Sequence, residues 1–415
     1  MARIIIRHLG AIVSIDIRLK QVNFFIGPQS IGKSTLARMV SFFSWMEKAN
    51  ANTRKKSADG VMRYFLRYYR MEDYLRNDTV VVYEGDNVFY YYNSSLKSKA
   101  SELFECFNTK EHKERLYFRK DVVLNPKVQY IPADRNFVSS VPAIKEYVED
   151  YDYLQVFADE WYSFKRRYRK DNALPILNLG IKYEYHEDTD EDFIVLSNGK
   201  TLPLASASSG LQSLIPLSLL VRHLSTEIYE NNVPFSPQEN ERFREIFLKL
   251  EESSGSRAES KMIDQLRVLL KGKAYSHTQF VIEEPEQNLF PETQKALVYS
   301  LLASVDHGKN HRMVITTHSP YILYALNNAL LAHYVKDIIP VEEKKEIESL
   351  KFSFDPSQVA VWQFKDGCLR GLEDEIHKTI QDGKGLIRAN YFNSIMGSIM
   401  EDFNKMVCFY GPQGN

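Results

Sequence analysis

Long apolar runs are missing from this chain: no stretch reaches the ~18 residues that a membrane-spanning helix needs. The N-terminus alternates short apolar runs with Arg3, Arg7 and Arg18 instead of presenting a secretory apolar core. No membrane association is expected, and a cytoplasmic protein is the expected class. Cysteine is scarce as well. Cys106, Cys368 and Cys408 are far apart, odd in number and without metal-ligand spacing, which excludes a disulfide framework and a zinc site. Nor is there an excess of one charge: 53 basic against 54 acidic residues leave a net charge of −1, so any nucleic-acid contact has to come from local basic patches. What the chain does have is length and apolar content, 415 residues at 44%, enough for a large core in two or three domains or in one domain carrying insertions. Aromatics reach 13%, many of them between residues 60 and 170, and are expected there to form a specialised surface.

Hydrophobic patterning predicts three short strands, Arg3 to Arg7, Ile12 to Leu19 and Asn23 to Ile26, then a glycine-bounded loop and a helix from Ser34 to Met46. An amphipathic helix near Gly60 to Arg70, a hairpin at Gly85-Asp86-Asn87 and a charged helical stretch to Lys120 follow. Next come a strand at residues 128–132, helix from Ser140 to Lys170, a meander from Pro175 to Leu204 and a helix from Leu211 to Tyr229. Two further helices are expected at Glu239 to Glu252 and Lys261 to Lys271. Buried-type strands at Gln279 to Ile282 and Arg312 to Thr316, each followed by a helix, imply a parallel α/β sheet.

Four segments carry chemistry. Gly27-Pro28-Gln29-Ser30-Ile31-Gly32-Lys33-Ser34, followed by Thr35, matches G-x-x-x-x-G-K-[ST] between a strand and a helix. Its fixed positions recur by chance in roughly one chain per hundred of this length, and the strand–loop–helix setting lowers that figure. Such a loop wraps backbone N–H groups around phosphates, with Lys33 on the β/γ oxygens of ATP and the Ser34 hydroxyl on Mg²⁺. The strand Phe280-Val281-Ile282 delivers Glu283 and Glu284 at its C-terminal end, where ligands sit in open α/β sheets. Glu283 is expected to hold Mg²⁺ and Glu284 to polarise the attacking water; a solvated turn is the plainer reading. Met313 to Thr317 ends at His318, placed to sense a γ-phosphate unless it is a cap or packing residue. Ala207-Ser208-Ser209-Gly210-Leu211-Gln212 opens an apolar helix, so Ser208, Ser209, Gly210 and Gln212 offer hydroxyls, amides and a positive helix end to an anion. A flexible linker fits less well, because the segment starts an element.

The order of these segments resembles the ABC ATPase superfamily, with Walker A, signature, Walker B and switch histidine in sequence. Glu283-Glu284-Pro285-Glu286-Gln287-Asn288-Leu289-Phe290-Pro291 and Ile315 to Tyr321 look like the SMC/RecF-like and overcoming-lysogenization-defect (OLD) ATPases, and Tyr130-Ile131-Pro132-Ala133-Asp134-Arg135 is similar to a segment common in that group. What the resemblance implies is an α/β P-loop NTPase of ABC type, with a mixed/parallel sheet core, a β-rich N-terminal subdomain and helical insertions. It implies ATP hydrolysis with Glu284, His318 and Lys33 as the catalytic set. It further implies a homodimer, or a higher even-numbered homo-oligomer, in which Ser209 and Gly210 of one copy meet the phosphate held by Lys33 of the other. Three positions depart from the wider pattern: Glu283 replaces the usual aspartate, Leu211 the second signature glycine, and Ala133 the Q-loop glutamine. Gln129, Asp134 and Arg135 are the candidate substitutes for that glutamine, and His8 is the candidate near adenine.

An ATPase core is expected over residues 1–335, with insertions at about 41–125, 137–176 and 230–277, and a C-terminal α/β extension over 336–415. That extension lacks the paired carboxylates of the nuclease domain that OLD proteins join to such a head. A separate effector nuclease or toxin, in bacterial anti-phage defence, is therefore the expected cargo; a DNA-repair or chromosome-maintenance clamp is the alternative. DNA or RNA contacts, if any, are expected at Arg63, Arg67 and Arg70, and at Lys165, Arg166, Arg167, Arg169 and Lys170. Asp188, Asp190 and Asp192 imitate a calcium loop without its glycine and glutamate, and read as a solvated turn.

Overall fold

The computed structural model describes residues 2–48, 57–94, 116–118, 125–141, 152–230, 275–305, 308–372, 378–407 and 409–410. Strands are β1 Arg3–Leu9, β2 Ile12–Arg18, β3 Val22–Ile26, β4 Leu75–Glu84, β5 Val88–Asn93, β6 Leu116–Phe118, β7 Lys127–Ile131, β8 Leu174–Pro175, β9 Lys182–His186, β10 Glu191–Val195, β11 Thr201–Pro203, β12 Thr278–Glu283, β13 Arg312–Thr317, β14 Val359–Lys365 and β15 Cys368–Arg370. The principal helices are α1 Lys33–Met46, α2 Ala58–Tyr68, α3 Tyr153–Lys165, α4 Ser209–Arg222, α5 Pro291–Val305, α6 Pro320–Val335 and α7 Tyr391–Val407.

Among the described residues, eleven strands form one sheet in the order β6-β5-β4-β1-β2-β15-β14-β3-β13-β12-β7. The first five are antiparallel neighbours, and β14-β3-β13-β12-β7 run parallel. Each half follows from its sequence. β3 and β12 are apolar on both faces and buried along their whole length, as strands covered by helices on both sides must be. Alternate side chains feed two cores. Phe24, Phe280, Ile315 and Val361 pack with α4, α5 and α6, while Phe25, Val281, Val314 and Trp362 pack with α1 and α2. The meander is a separate four-stranded sheet, β11-β10-β9-β8, whose Tyr183 and Ile194 join the first of these cores.

Several expectations change. Of the helix expected over residues 140–170, positions 142–151 lie outside the described residues; the rest holds α3, which ends at Lys165 and is capped by Asp152, whose carboxylate accepts from the Leu154 and Gln155 amides. Leu116–Phe118 is an edge strand paired antiparallel with β5, where a helix was expected. The expected helices at 239–252 and 261–271, and Cys106 and Cys408, lie outside the described residues. Among the described residues, the aromatics between 60 and 170 are largely interior: Phe65, Tyr69, Tyr83, Tyr90 and Tyr130 are buried, linking α1 and α2 to the sheet. β14, which lies beyond residue 335, inserts beside β3 in the middle of the main sheet. Chain far beyond the last motif thus completes the sheet that carries the first one. Among the described residues no helix is long and apolar enough to cross a membrane.

Candidate functional site

Parallel register brings the chemically distinctive residues to one edge of the sheet. Ile26 at the end of β3 pairs with Thr317 at the end of β13, and Thr316 pairs with Glu283 at the end of β12. The glycine loop, His318 and Glu284 therefore emerge from three adjacent strands, spaced ~4.8 Å from one to the next.

The loop is held by contacts that only glycine allows. Gly27 and Gly32 have φ of 138° and 103°, and an added Cβ would lie 2.6 Å from the Phe364 carbonyl oxygen and 2.6 Å from Ile12 Cγ1, respectively. Gly32 stands at the start of α1 with no side-chain cap, so the first amides of that helix have no side chain to satisfy them there. Lys33 is buried, and its Nζ donates to the Gly27 carbonyl at 3.0 Å and to that of Pro28. Burial pushes its pKa down to about 8 against the opposing pull of Glu284, Glu286 and Glu283.

Glu283 is buried, and burial holds its carboxyl above the usual range although Arg38, Tyr130 and Ser34 pull the other way. Its Oε1 has no hydrogen-bond partner and lies 3.8 Å from Arg38 Nε, which itself donates to Tyr130 Oη at 3.1 Å. Glu284 differs. It is half-exposed, has a positive φ of 45°, and its Oε1 lies 3.5 Å from His318 Nε2; the hydrogen bond to His318 holds its carboxyl below the usual range. The Glu284 amide donates to the Thr316 carbonyl at 2.9 Å, which fixes the turn. Two adjacent residues thus carry oppositely shifted carboxyls.

Sequence reasoning assigned no role to Glu286. Its Oε1 accepts from the His318 backbone amide at 2.6 Å, tying the β12 loop to the β13 loop. Ser319 then caps α6 through the Tyr321 amide, and its hydroxyl donates to Gln294 Oε1 on α5. The glutamate of a short strand-end run was the visible signal; its use depends on which loop lies opposite.

Arg135 was a candidate for the Q-loop role, and the structure gives it a different position. It is fully buried and donates to five backbone carbonyls: Pro132 at 3.2 Å, Glu283 at 2.8 Å, Glu284 at 2.8 Å, Pro285 at 3.3 Å and Ser213 at 3.1 Å. One guanidinium joins the carboxylate-bearing loop to the first turns of α4. Burial lowers its pKa to about 10, leaving it charged at neutral pH. Gln129 is buried with its amide on the Tyr130 carbonyl, so only Asp134 of the three candidates is exposed. His8, at a positive φ of 52°, pairs with Asp78 at 2.7 Å.

At the start of α4, Ser208 and Ser209 are exposed while Gly210 is buried, an added Cβ there lying 2.5 Å from the Asn288 carbonyl oxygen. Gln212 turns back to donate to the Ala205 carbonyl at 2.8 Å, so its amide braces the preceding turn.

The basic patches lose much of their free charge. Arg63 pairs with Asp59 at 2.8 Å, Arg70 with Asp152 at 2.5 Å and Arg169 with Glu187 at 2.8 Å. Lys165 is buried between Asp192 and Asp190 and over the Tyr162 and Tyr185 rings, which removes it from any nucleic-acid surface. The same contacts correct the reading of the aspartate run: Asp192 also accepts from Tyr183 Oη at 2.6 Å and is a structural anchor. Arg67, Arg166, Arg167 and Lys170 remain exposed.

With this geometry in place, the AAA ATPase domain family matches residues 258–323, the segment that contains Glu283, Glu284 and His318. Over this segment the chain is similar to that family. The chain shows similarity to the SMC head domain from Thermotoga maritima, at 11% identity and a TM-score of 0.31, over 78% of this chain and 90% of that one. An ATP-binding cassette of an ABC transporter in its ADP conformation is similar at 10% identity and a TM-score of 0.31, over 89% and 90%. An SMC head bound to the C-terminal domain of ScpA, derived from Pyrococcus furiosus, is similar at 10% identity and a TM-score of 0.30, over 97% and 100%. Comparison with curated proteins gives no match.

Proposed function

We propose that this ATPase is a switch in which two copies close head to head over ATP, the Ser208–Gln212 helix start of each facing the triphosphate gripped by the glycine loop of the other. Closure then controls a separate effector nuclease or toxin, in bacterial anti-phage defence. The observation that carries the dimer is the exposure of Ser208 and Ser209 at the head of a helix whose following residues are mostly buried. A seryl pair used only for packing has no reason to stand in solvent at a positive helix end.

Within each composite site, the amides of Gln29 to Thr35 and the Lys33 ammonium would hold the phosphates, with Gly27 and Pro28 shaping the turn. A Mg²⁺ ion fits the residues present: Ser34 and Glu283 would hold it, and Glu283 Oε1 is a buried carboxylate oxygen that has the Arg38 guanidinium nearby but no hydrogen-bond partner of its own. When bound, the ion supplies charge stabilisation on the phosphate oxygens. Glu284, ionised and aimed by His318, is suited to orient a water and take its proton; His318 would then report the γ-phosphate through the same contact. Glu286 keeps the His318 backbone in place. A DNA clamp has less support, because Arg63, Arg70 and Arg169 are paired and Lys165 is buried.

Purifying the Glu284→Gln variant with and without ATP tests the reading. ATP-dependent retention of a nuclease or toxin is expected. DNA-stimulated hydrolysis with no protein retained would replace the defence role by the repair role.

A further inference from the structure

Helix α7 is amphipathic and almost uncovered. Asn390 caps it through the Phe392 amide, the Tyr391 amide donates to Gln363 Oε1 on β14 at 2.7 Å, and Phe392 packs on the core; beyond that point no residue of the helix is buried. Ile395, Met396, Ile399, Met400, Phe403 and Met406 fall within one arc at 100° per residue, together with Val407. Their exposures run from 45% at Ile395 to 64% at Met406. The opposite arc holds Ser394, Gly397, Ser398, Glu401, Asp402 and Lys405. A helix of seventeen residues projecting some ~25 Å from the body is marginal in water without a partner for its apolar face.

We infer that α7 pairs with α7 of a second copy of this chain, joining two ATPase heads before nucleotide binds. Three observations favour a second copy. Seven half-exposed side chains of this size present on the order of 700 Å² of apolar surface, close to the ~800 Å² that each partner contributes to a standard interface. The polar margin is almost neutral, with Lys405 among two carboxylates, so two identical helices meet without strong like-charge repulsion, and the self-complementary stripe suits a two-fold contact. The margin lacks the Lys/Arg-rich face that binds anionic lipid. Third, α7 departs from the sheet edge that carries the glycine loop: Gln363, which holds its first turn, pairs with Ile26, the residue before Gly27.

The pairing stands on α7 alone; its consequence rests on the head-to-head reading. Tethering two copies beside their nucleotide loops turns closure into an intramolecular step at high effective concentration. ATP then needs only to rotate heads that are already together.

Mass measurement by light scattering without nucleotide tests the pairing, on the wild type at about 10 µM and on Ile399→Asp/Phe403→Asp, whose substituted side chains touch no core. A wild-type dimer and a variant monomer, the latter with unchanged circular dichroism, are expected. A wild-type monomer, or a variant as dimeric as the wild type, overturns the inference, as does partition of the wild type onto phosphatidylcholine vesicles in place of self-association. Lys33→Ala separates the two ideas: it should lose every ATP-dependent change while keeping the nucleotide-free dimer, and loss of that dimer in Lys33→Ala would also overturn the pairing.

Discussion

Lys33 is buried beside three glutamates, yet desolvation outweighs them and its pKa falls to about 8. Because the unfolded chain binds this proton more tightly, the deprotonated form adds stability as pH rises from about 8 towards the ordinary value of 10.5. A triphosphate beside Lys33 restores the charged form. ATP binding at pH 8.5 should therefore take up protons, measured by calorimetry in two buffers of different ionisation enthalpy; identical heats would contradict the burial argument. Glu284 is held ionised by His318, so Glu284→Gln should retain ATP and lose ~100-fold or more in kcat, the scale of a lost general base. A rate within a few-fold of wild type would remove Glu284 from the chemistry. The positions legible in the sequence at this scale are those fixed by local pattern, the loop lysine, the serine after it and the two strand-end acids, and the structure brings them to one sheet edge. Glu286 and Arg38 were not legible, because their partners His318 and Glu283 lie 32 and 245 positions away and only the sheet register brings them near.

Among elements, the start of α4 and the β12 loop behave as one unit, joined by Arg135 and by the close approach of Gly210 to Asn288. Arg135→Ala strands five carbonyls and should cost ~3 kcal/mol or more. Arg135→Lys keeps the charge without the fork; it should lower kcat ~10-fold with KM for ATP little changed, because a small displacement of Glu284 spoils positioning and not phosphate binding. Equal losses in kcat and folding stability without that split would make Arg135 merely structural. Gly210→Ala is a sharper case. Helix propensity favours alanine by ~1 kcal/mol, whereas a Cβ 2.5 Å from the Asn288 oxygen should destabilise by ~1–3 kcal/mol in denaturant titration. Strands and helices with clear periodicity, such as β3, β12, α1 and α4, stand close to where the sequence placed them. The short edge strand β6 does not, since pairing at an edge outweighs local pattern there.

Across the whole molecule, what escaped the sequence was the return of the C-terminal region to the central sheet: β14 reads as an ordinary apolar run, and nothing local says that its neighbour is β3. That return places α7 beside the nucleotide loop. The composite site is open to direct test in the Ile399→Asp/Phe403→Asp background, where α7 pairing is expected to be absent. Light scattering of Glu284→Gln in that background should give a monomer without ATP and a dimer with it, and adding Ser209→Arg should return the monomer while ATP still binds. A monomer with ATP bound and Ser209 intact would contradict the account.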